Sequence, residues 1–104
     1  MLAMSIKALA EAAISENAIC IFSRSWCPYS NRVKALLESK FPEAQKKYLE
    51  LDKMEEGDEL QSYLISKTGQ RTVPNVFINQ THIGGCDDTT AMVQSGKIAS
   101  LLKL

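Results

Sequence analysis

Apolar positions along the chain follow two patterns, one typical of amphipathic helices and one typical of half-buried or buried strands. The first set has the helical spacing: Ile6, Leu9, Ala10, Ala13 and Ile14. Residues 18–22 then form a continuous apolar run, and residues 47–51 alternate polar and apolar side chains as a strand does. In chain order, the pattern predicts a helix over 3–15, a strand over 18–23, a helix from 28 to about 39, a strand over 47–51, a helix from about 57 to a cap at 69, strands over 73–78 and 82–83, and a last helix ending at 104.

This order of elements, α-β-α-β-α-β-β-α, predicts one α/β domain over residues 1–104 with a mixed sheet. The first two strands are expected to be parallel, because residues 28–40 supply the helical crossover that a parallel pair needs. Asn79 and Gln80 are expected to turn a hairpin. Asp87 or Asp88 is predicted to N-cap the last helix, which follows the break at Gly84-Gly85.

Composition and charge exclude several classes of function. The chain has 104 residues with twelve basic and twelve acidic side chains, and a formal net charge of zero argues against a nucleic-acid partner. No apolar stretch approaches the ~20 residues needed to span a bilayer, so no membrane partner is expected. Three irregularly spaced cysteines favour a reducing compartment, and we expect a cytoplasmic protein, or an organellar one if a targeting peptide has been removed. With one histidine and no paired cysteine motif, no metal site is expected.

Cys27 is the candidate for chemistry. It follows the apolar run that predicts the first strand and directly precedes the predicted helix that starts near Pro28. A thiol at a helix N-terminus faces unpaired backbone N–H groups and the positive end of the helix dipole. Both favour the thiolate, which is the nucleophilic form, and Pro28 fits the first turn because its missing N–H has no partner there.

Three motifs at element boundaries resemble those of the glutaredoxin family of the thioredoxin fold. They are residues 24–30 (RSWCPYS), residues 69–74 (GQRTVP) and residues 84–88 (GGCDD). The resemblance covers essentially the whole chain and is to the class with a Cys-Pro-Tyr-x active site. It implies a four-stranded mixed sheet flanked by helices on both faces. It also implies a glutathione-dependent thiol–disulfide oxidoreductase that acts mainly on glutathione mixed disulfides, as a monomer.

The resemblance implies a role for each residue that matches a family motif. Cys27 would be the nucleophile, and Arg24 would attract the glycine carboxylate of glutathione and favour the thiolate. Pro74 would be cis and would expose the Val73 backbone to a peptide-like ligand, while the start of the last helix would bind the γ-glutamyl group. The full set implied to bind glutathione is Arg24, Cys27, Tyr29, Gln70, Thr72, Val73, Pro74, Gly85, Cys86, Asp87 and Asp88.

Ser30 occupies the position where dithiol members of the family have a resolving cysteine. Serine can donate a hydrogen bond to the Cys27 thiolate but cannot form a disulfide with it, so a monothiol cycle with Cys27 and Ser30 is expected. The alternative interpretations are a dimer that binds a [2Fe-2S] cluster through Cys27 and glutathione thiols, and a redox-sensitive interaction protein without turnover. Pro28 argues against the cluster because it stiffens the turn.

Three further side chains could have either a structural or a functional role. Cys20 lies within an apolar strand and is predicted to be a small buried hydrophobic residue. Cys86 is either a secondary thiol open to glutathionylation or a residue that contributes only its backbone, and we favour the second. Trp26 either stacks on a partner or shields the cysteine and packs on the sheet, and the sequence does not separate these two.

Overall fold

Residues 4–104 are described by the computed structural model, and regular elements occupy most of this range. They are helix α1 (Ile6–Ser15), strand β1 (Ile19–Ser23), helix α2 (Pro28–Lys40), strand β2 (Lys46–Glu50), a 3-10 turn (Leu51–Lys53), helix α3 (Gly57–Thr68), strand β3 (Asn75–Ile78), strand β4 (Thr81–Gly84), helix α4 (Cys86–Gln94) and helix α5 (Lys97–Leu101). The predicted start of the first helix at residue 3 lies outside the described residues. None of the helices within residues 4–104 is long and apolar enough to cross a bilayer.

The four strands form one mixed sheet in the order β2-β1-β3-β4. Strands β1 and β2 are parallel and are joined through α2, as predicted, and β3 lies antiparallel to β1 on its other side. Strand β4 pairs antiparallel with β3 through a turn in which Asn79 and Gln80 both have positive φ. The predicted thioredoxin-like fold is confirmed, and it places the carboxyl end of the central strand β1 directly before Cys27.

Helices cover both faces of the sheet because β1 alternates its side chains between two hydrophobic clusters. Ile19 and Ile21 belong to the cluster formed with α2, α4 and α5. Cys20 and Phe22 belong to the cluster formed with α1 and α3. Strand β1 is buried along its entire length, which is typical of a central strand between two helical layers.

The C-terminal helical region differs from the prediction because it consists of two helices. Gly96 separates α4 from α5 with a left-handed backbone, φ 85°. A residue in that conformation ends the regular hydrogen-bond ladder, and glycine adopts it without a Cβ penalty. The same chemistry ends α3 as predicted, where Gly69 has φ 79°.

Two predicted boundaries near the motifs were wrong. Helix α4 is N-capped by Gly85 and not by Asp87 or Asp88, and the Asp88 carboxylate instead accepts the Gly85 N–H at 3.4 Å from the third helical position. Strand β3 begins at Asn75 and not at residue 73, because Pro74 has no N–H for a strand ladder.

Candidate active site

Cys27 occupies the N-cap position of α2, at the end of the loop that follows β1. Pro28 is the first helical residue, as expected, and the Cys27 carbonyl accepts the Asn31 N–H at 3.0 Å. The thiol stands where a side-chain oxygen usually caps a helix, near the unpaired N–H groups of the first turn, and within the described residues it accepts no capping hydrogen bond. Only 6% of the residue is exposed.

Opposing influences act on the pKa of the Cys27 thiol. Burial is the largest, and it raises the pKa because it disfavours the charged thiolate. The Ser30 N–H, the Ser30 hydroxyl and the Tyr29 N–H can all donate to a thiolate at this position, and together with the charge of Lys34 they lower the pKa by more than burial raises it. The pKa of Cys27 therefore lies below its ordinary value of 9.0, in the direction predicted from its place at a helix N-terminus.

The Ser30 side chain lies one helical turn beyond the thiol and is fully buried. Its hydroxyl has no hydrogen-bond partner among residues 4–104, although it is one of the groups that lower the pKa of Cys27. A buried hydroxyl without a partner is costly, and the thiolate offers the acceptor that it lacks. Ser30 is thus preorganised to stabilise the charged form of Cys27.

The cation that lowers the pKa of Cys27 is Lys34, which the sequence prediction missed. Lys34 Nζ forms an ion pair with Glu50 Oε2 of β2 at 2.5 Å and lies 5.3 Å from the ring centroid of Tyr48. Glu50 also accepts the hydroxyl of Ser23, the last residue of β1. The available signal was spacing, because residues seven apart lie on one face of a helix and Lys34 follows Cys27 by two turns.

Arg24, the cation expected from the resemblance, has a different place. It is half-buried in the loop before Cys27, and its carbonyl accepts the Cys27 N–H at 3.0 Å. Its charge is not among the causes of the lowered pKa of Cys27. The predicted direction of the shift is confirmed, and Lys34 contributes a positive charge that the sequence prediction did not include.

Asp52, in the 3-10 turn after β2, fixes the loop that carries the nucleophile. Its carboxylate accepts the Ser25 N–H at 2.9 Å and the Ser25 hydroxyl at 2.5 Å. The Ser25 hydroxyl is the main cause that lowers the pKa of Asp52. From the other side, the Asn31 amide donates to the Ser25 carbonyl at 3.3 Å, so contacts from two elements hold this loop in place.

A groove of about 440 Å³ opens beside the first turn of α2. Its lining consists of Tyr29, Gln70, Thr72, Val73, Pro74, Gly85, Cys86, Asp87 and Asp88. Every one of these residues belongs to the set that the resemblance implies for glutathione, and only Arg24 and Cys27 of that set lie outside the lining. The fold therefore brings together residues from α2, from the loop before β3 and from the start of α4, which are far apart in sequence.

The loop before β3 forms one wall of the groove. The peptide bond between Val73 and Pro74 is cis. The Gln70 amide nitrogen donates to the carbonyls of Thr72 and Pro74, both at 2.9 Å. Because both N–H groups of this amide are used by the loop itself, Gln70 stabilises the wall and holds no free donor toward the groove.

The start of α4 also lines the groove. Gly84 has φ 122°, and a Cβ at this position would collide with the Asp88 carboxylate, so this turn requires glycine. Cys86 and Asp87 are the first two residues of the helix, and neither N–H has a partner within it. This end of the groove is therefore suited to a negatively charged group.

The sequence model of the family described as glutaredoxin matches residues 19–83, which is more than half of the chain. The chain belongs to the glutaredoxin family. Glutaredoxins are glutathione-dependent thiol–disulfide oxidoreductases, and this chain is an enzyme of that type.

Plant glutaredoxins are similar to this chain over most of their length. A glutaredoxin from Vernicia fordii is 50% identical over 93 residues, which are 89% of this chain and 88% of that protein. Glutaredoxin-C6 from Oryza sativa subsp. japonica is 50% identical over 95 residues, which are 91% of this chain and 83% of that protein. A crystal structure of a buckwheat glutaredoxin–glutathione complex has a TM-score of 0.87 and 39% identity, covering 94% of this chain and 86% of that one.

The two other cysteines of this glutaredoxin are free and buried, as is Cys27. Cys20 is fully buried in β1, and burial raises its pKa to about 12, so the predicted structural role is confirmed. Cys86 packs in the cluster with α2 and α5 and also lines the groove. Within residues 4–104, no group of three or more His, Cys, Asp or Glu side chains is arranged to hold a metal ion.

The exposure of Trp26 decides between the two roles that were predicted for it. The side chain is 67% exposed, so the alternative in which it packs on the sheet is wrong. It also lies outside the lining of the groove, although it directly precedes Cys27.

Proposed function

We propose that this glutaredoxin reduces mixed disulfides between glutathione and a second thiol by a monothiol cycle, with Cys27 as the nucleophile. The observation that carries the proposal is that Cys27, whose pKa is lowered, lies one helical turn from Ser30, whose buried hydroxyl has no hydrogen-bond partner within residues 4–104. Ser30 can stabilise the attacking thiolate and cannot resolve it as a disulfide. An external thiol must therefore complete the cycle.

The cycle has two thiol–disulfide exchanges. The Cys27 thiolate attacks the glutathionyl sulfur of the substrate, the substrate disulfide breaks, and the substrate leaves as a thiolate that takes a proton from water. Cys27 is then joined to glutathione. The thiolate of a second glutathione attacks the glutathionyl sulfur of this adduct, which releases oxidised glutathione and regenerates the Cys27 thiolate. In sum, one glutathione mixed disulfide and one glutathione become one thiol and one glutathione disulfide.

The groove beside Cys27 is proposed to bind the glutathionyl part of the substrate. The first N–H groups of α4 would receive the γ-glutamyl carboxylate, with Asp87 or Asp88 toward its ammonium group. The Val73 backbone would pair with the middle of the tripeptide as an added strand does, and Arg24 would attract the glycine carboxylate. Support comes from the groove lining and from the buckwheat relative, whose structure is that of a glutathione complex.

The proposed cycle also sets where and in which state the protein acts. It consumes reduced glutathione, which favours a reducing compartment such as the cytoplasm. One chain contributes both the nucleophile and the groove, which favours action as a monomer.

The test is glutathione-dependent reduction of a glutathionylated peptide, with Cys27→Ala and Ser30→Cys as variants. The intact protein is expected to turn over this substrate and to reduce an intramolecular peptide disulfide at least about tenfold less efficiently, because one thiol cannot complete that reaction alone. Cys27→Ala should abolish both activities. Ser30→Cys should gain the second activity while keeping the first.

Two results would contradict the proposal. One is the absence of turnover by intact protein whose thiols have been shown to be free. The other is turnover of the glutathionylated peptide that survives in Cys27→Ala.

A further inference from the structure

Large exposed apolar side chains are concentrated beside the nucleophile. Within residues 4–104 the strongly exposed ones are Met4, Trp26, Tyr29 and Leu104. Met4 and Leu104 lie at the two ends of this range, whereas Trp26 and Tyr29 flank Cys27 and Pro28 in the chain. Trp26 is 67% exposed and Tyr29 56% exposed. Burial of this apolar area against a partner would contribute favourably to binding.

Trp26 is presented by a hydrogen-bonded loop. Its predecessor Ser25 is held by the Asp52 carboxylate through both its N–H and its hydroxyl, and its successor Cys27 caps α2. Since residues on both sides are fixed, the indole has little more than its own two side-chain torsions to order when it meets a partner. Such preorganised aromatic side chains account for much of the binding energy at protein interfaces.

The exposed surface continues from the glutathione groove past the thiol. Tyr29 lines the groove, and the Arg32 guanidinium lies 5.3 Å from the centroid of its ring. Trp26 lies next to Cys27 but outside the groove. We call the surface formed by Trp26, Tyr29 and the Arg32 side chain over the Tyr29 ring the aromatic rim.

We propose that the aromatic rim binds the polypeptide that carries the glutathionylated cysteine, with an apolar side chain next to that cysteine packed against Trp26. The inference rests on the proposed function, in which glutathione occupies the groove. In the mixed disulfide, the glutathionyl sulfur that Cys27 attacks is bonded directly to the cysteine sulfur of the polypeptide. The substrate polypeptide must therefore leave the groove across the surface around Cys27. Trp26 and Tyr29 of the rim are the strongly exposed apolar side chains of that surface.

The rim would add selectivity to a site that otherwise recognises only the glutathionyl half of its substrates. The groove cannot distinguish one passenger polypeptide from another, because its lining is filled by the tripeptide. Apolar contact with Trp26 would be made only by substrates that have a suitable side chain beside the modified cysteine. Small mixed disulfides without a peptide would not use the rim.

Three substrates test the inference: two glutathionylated peptides that differ only in leucine or serine after the cysteine, and the mixed disulfide of glutathione with 2-mercaptoethanol. The kcat/KM of the intact protein is expected to be about fivefold higher for the leucine peptide than for the serine peptide. Trp26→Ala should remove this preference and leave turnover of the small mixed disulfide within about twofold. Trp26→Phe should keep most of the preference.

Leu104→Ala is the matched control, since it removes an even more exposed apolar side chain far along the chain from the rim. It should leave all three kcat/KM values unchanged. The inference is overturned if the intact protein shows no preference between the peptides, or if Trp26→Ala lowers all three values in equal proportion. Failure of the proposed function would look different, because the intact protein would then not turn over the small mixed disulfide either.

Discussion

At the scale of single residues, the pKa of Cys27 depends first on donors within its own motif and then on one charge outside it. The Ser30 hydroxyl lies within the motif, but Lys34 lies outside it, and Lys34 is oriented by Glu50 from β2. The carboxylate has two effects, since it holds the ammonium group in place and also offsets part of its charge. Glu50 therefore acts on Cys27 through Lys34, as a positioning residue.

We predict that Lys34→Met raises the pKa of Cys27 and Glu50→Gln lowers it. Methionine keeps the length of the side chain without the charge, whereas glutamine still accepts a hydrogen bond from Lys34 and no longer offsets its charge. Because only the thiolate reacts, alkylation by iodoacetamide below the pKa should slow by about threefold in Lys34→Met and accelerate in Glu50→Gln. The measurement is the alkylation rate as a function of pH.

Lys40→Met serves as the control for this prediction. Lys40 lies in the last turn of α2, roughly 20 Å along the axis from Cys27 and well beyond the screening length of physiological salt. Its pH profile should match that of the intact protein. Superimposable profiles for Lys34→Met and the intact protein would show that Lys34 does not act on the thiol.

At the scale of elements, the site is assembled from element ends. Cys27 caps α2, the loop before β3 forms one wall of the groove, and Gly85 caps α4. Glycines with a left-handed backbone end α3 at Gly69 and separate α4 from α5 at Gly96. The break at Gly96 allows α5 to turn so that Ile98 is fully buried in the cluster with β1 and α2.

Gly96→Ala is expected to destabilise the protein by about 1 kcal/mol, because an alanine at φ 85° has an unfavourable backbone conformation. Among the residues that the structure describes, no atom outside the adjoining residues and this helix's own backbone lies within 4 Å of the Cβ that would be added, so crowding should not contribute. Urea denaturation measures the effect, and Lys97→Ala, an exposed change in the next residue, should stay within about 0.5 kcal/mol. Equal stability of Gly96→Ala and the intact protein would refute the argument from the backbone.

At the scale of the whole molecule, the sheet separates two cores that depend on one central strand. Cys20 of β1 lies in the core formed with α1 and α3, and burial raises its pKa to about 12. In the unfolded chain the thiol ionises near its ordinary value of 9.0. The folded state therefore keeps a proton that the unfolded state loses above pH 9, so this thiol makes the protein less stable as the pH rises between these two values.

We predict that Cys20→Ala makes stability less dependent on alkaline pH. Between neutral pH and about pH 10.5, ionisation of Cys20 in the unfolded state should cost the intact protein about 2 kcal/mol, a loss that the variant does not have. At neutral pH the variant should be less stable by about 1 kcal/mol, since the substitution leaves a small cavity. Urea denaturation at the two pH values measures both effects.

The control here is Val76→Ala, which removes apolar volume from β3 in the opposite core without removing a titratable group. Its loss of stability should be the same at both pH values. If Cys20→Ala loses as much stability as the intact protein between the two pH values, the thiol is not responsible for the alkaline effect.

Much of the fold could be predicted from local patterns. The apolar run before Cys27, the helical spacing after it and the glycine at residue 69 each describe a structure whose cause lies within a few neighbouring residues. For this reason the element order, the parallel pair β1–β2 and the helix start at Pro28 were predicted correctly. The division of the last helical region at Gly96 and the N-cap of α4 were not predicted, although a glycine with a left-handed backbone and a contact over three residues are local features.

The sequence by itself determined the chemistry of this protein: a thiol at a helix N-terminus, a serine that cannot form a disulfide with it, and the motifs that match one family. Those properties depend on residue type and on near neighbours. Only the tertiary structure decided that Glu50 holds the Lys34 ammonium group in place and that the Trp26 side chain is exposed beside Cys27. Contacts between α2 and β2, and the exposure of a side chain, arise when distant segments pack together, and no local pattern encodes that packing.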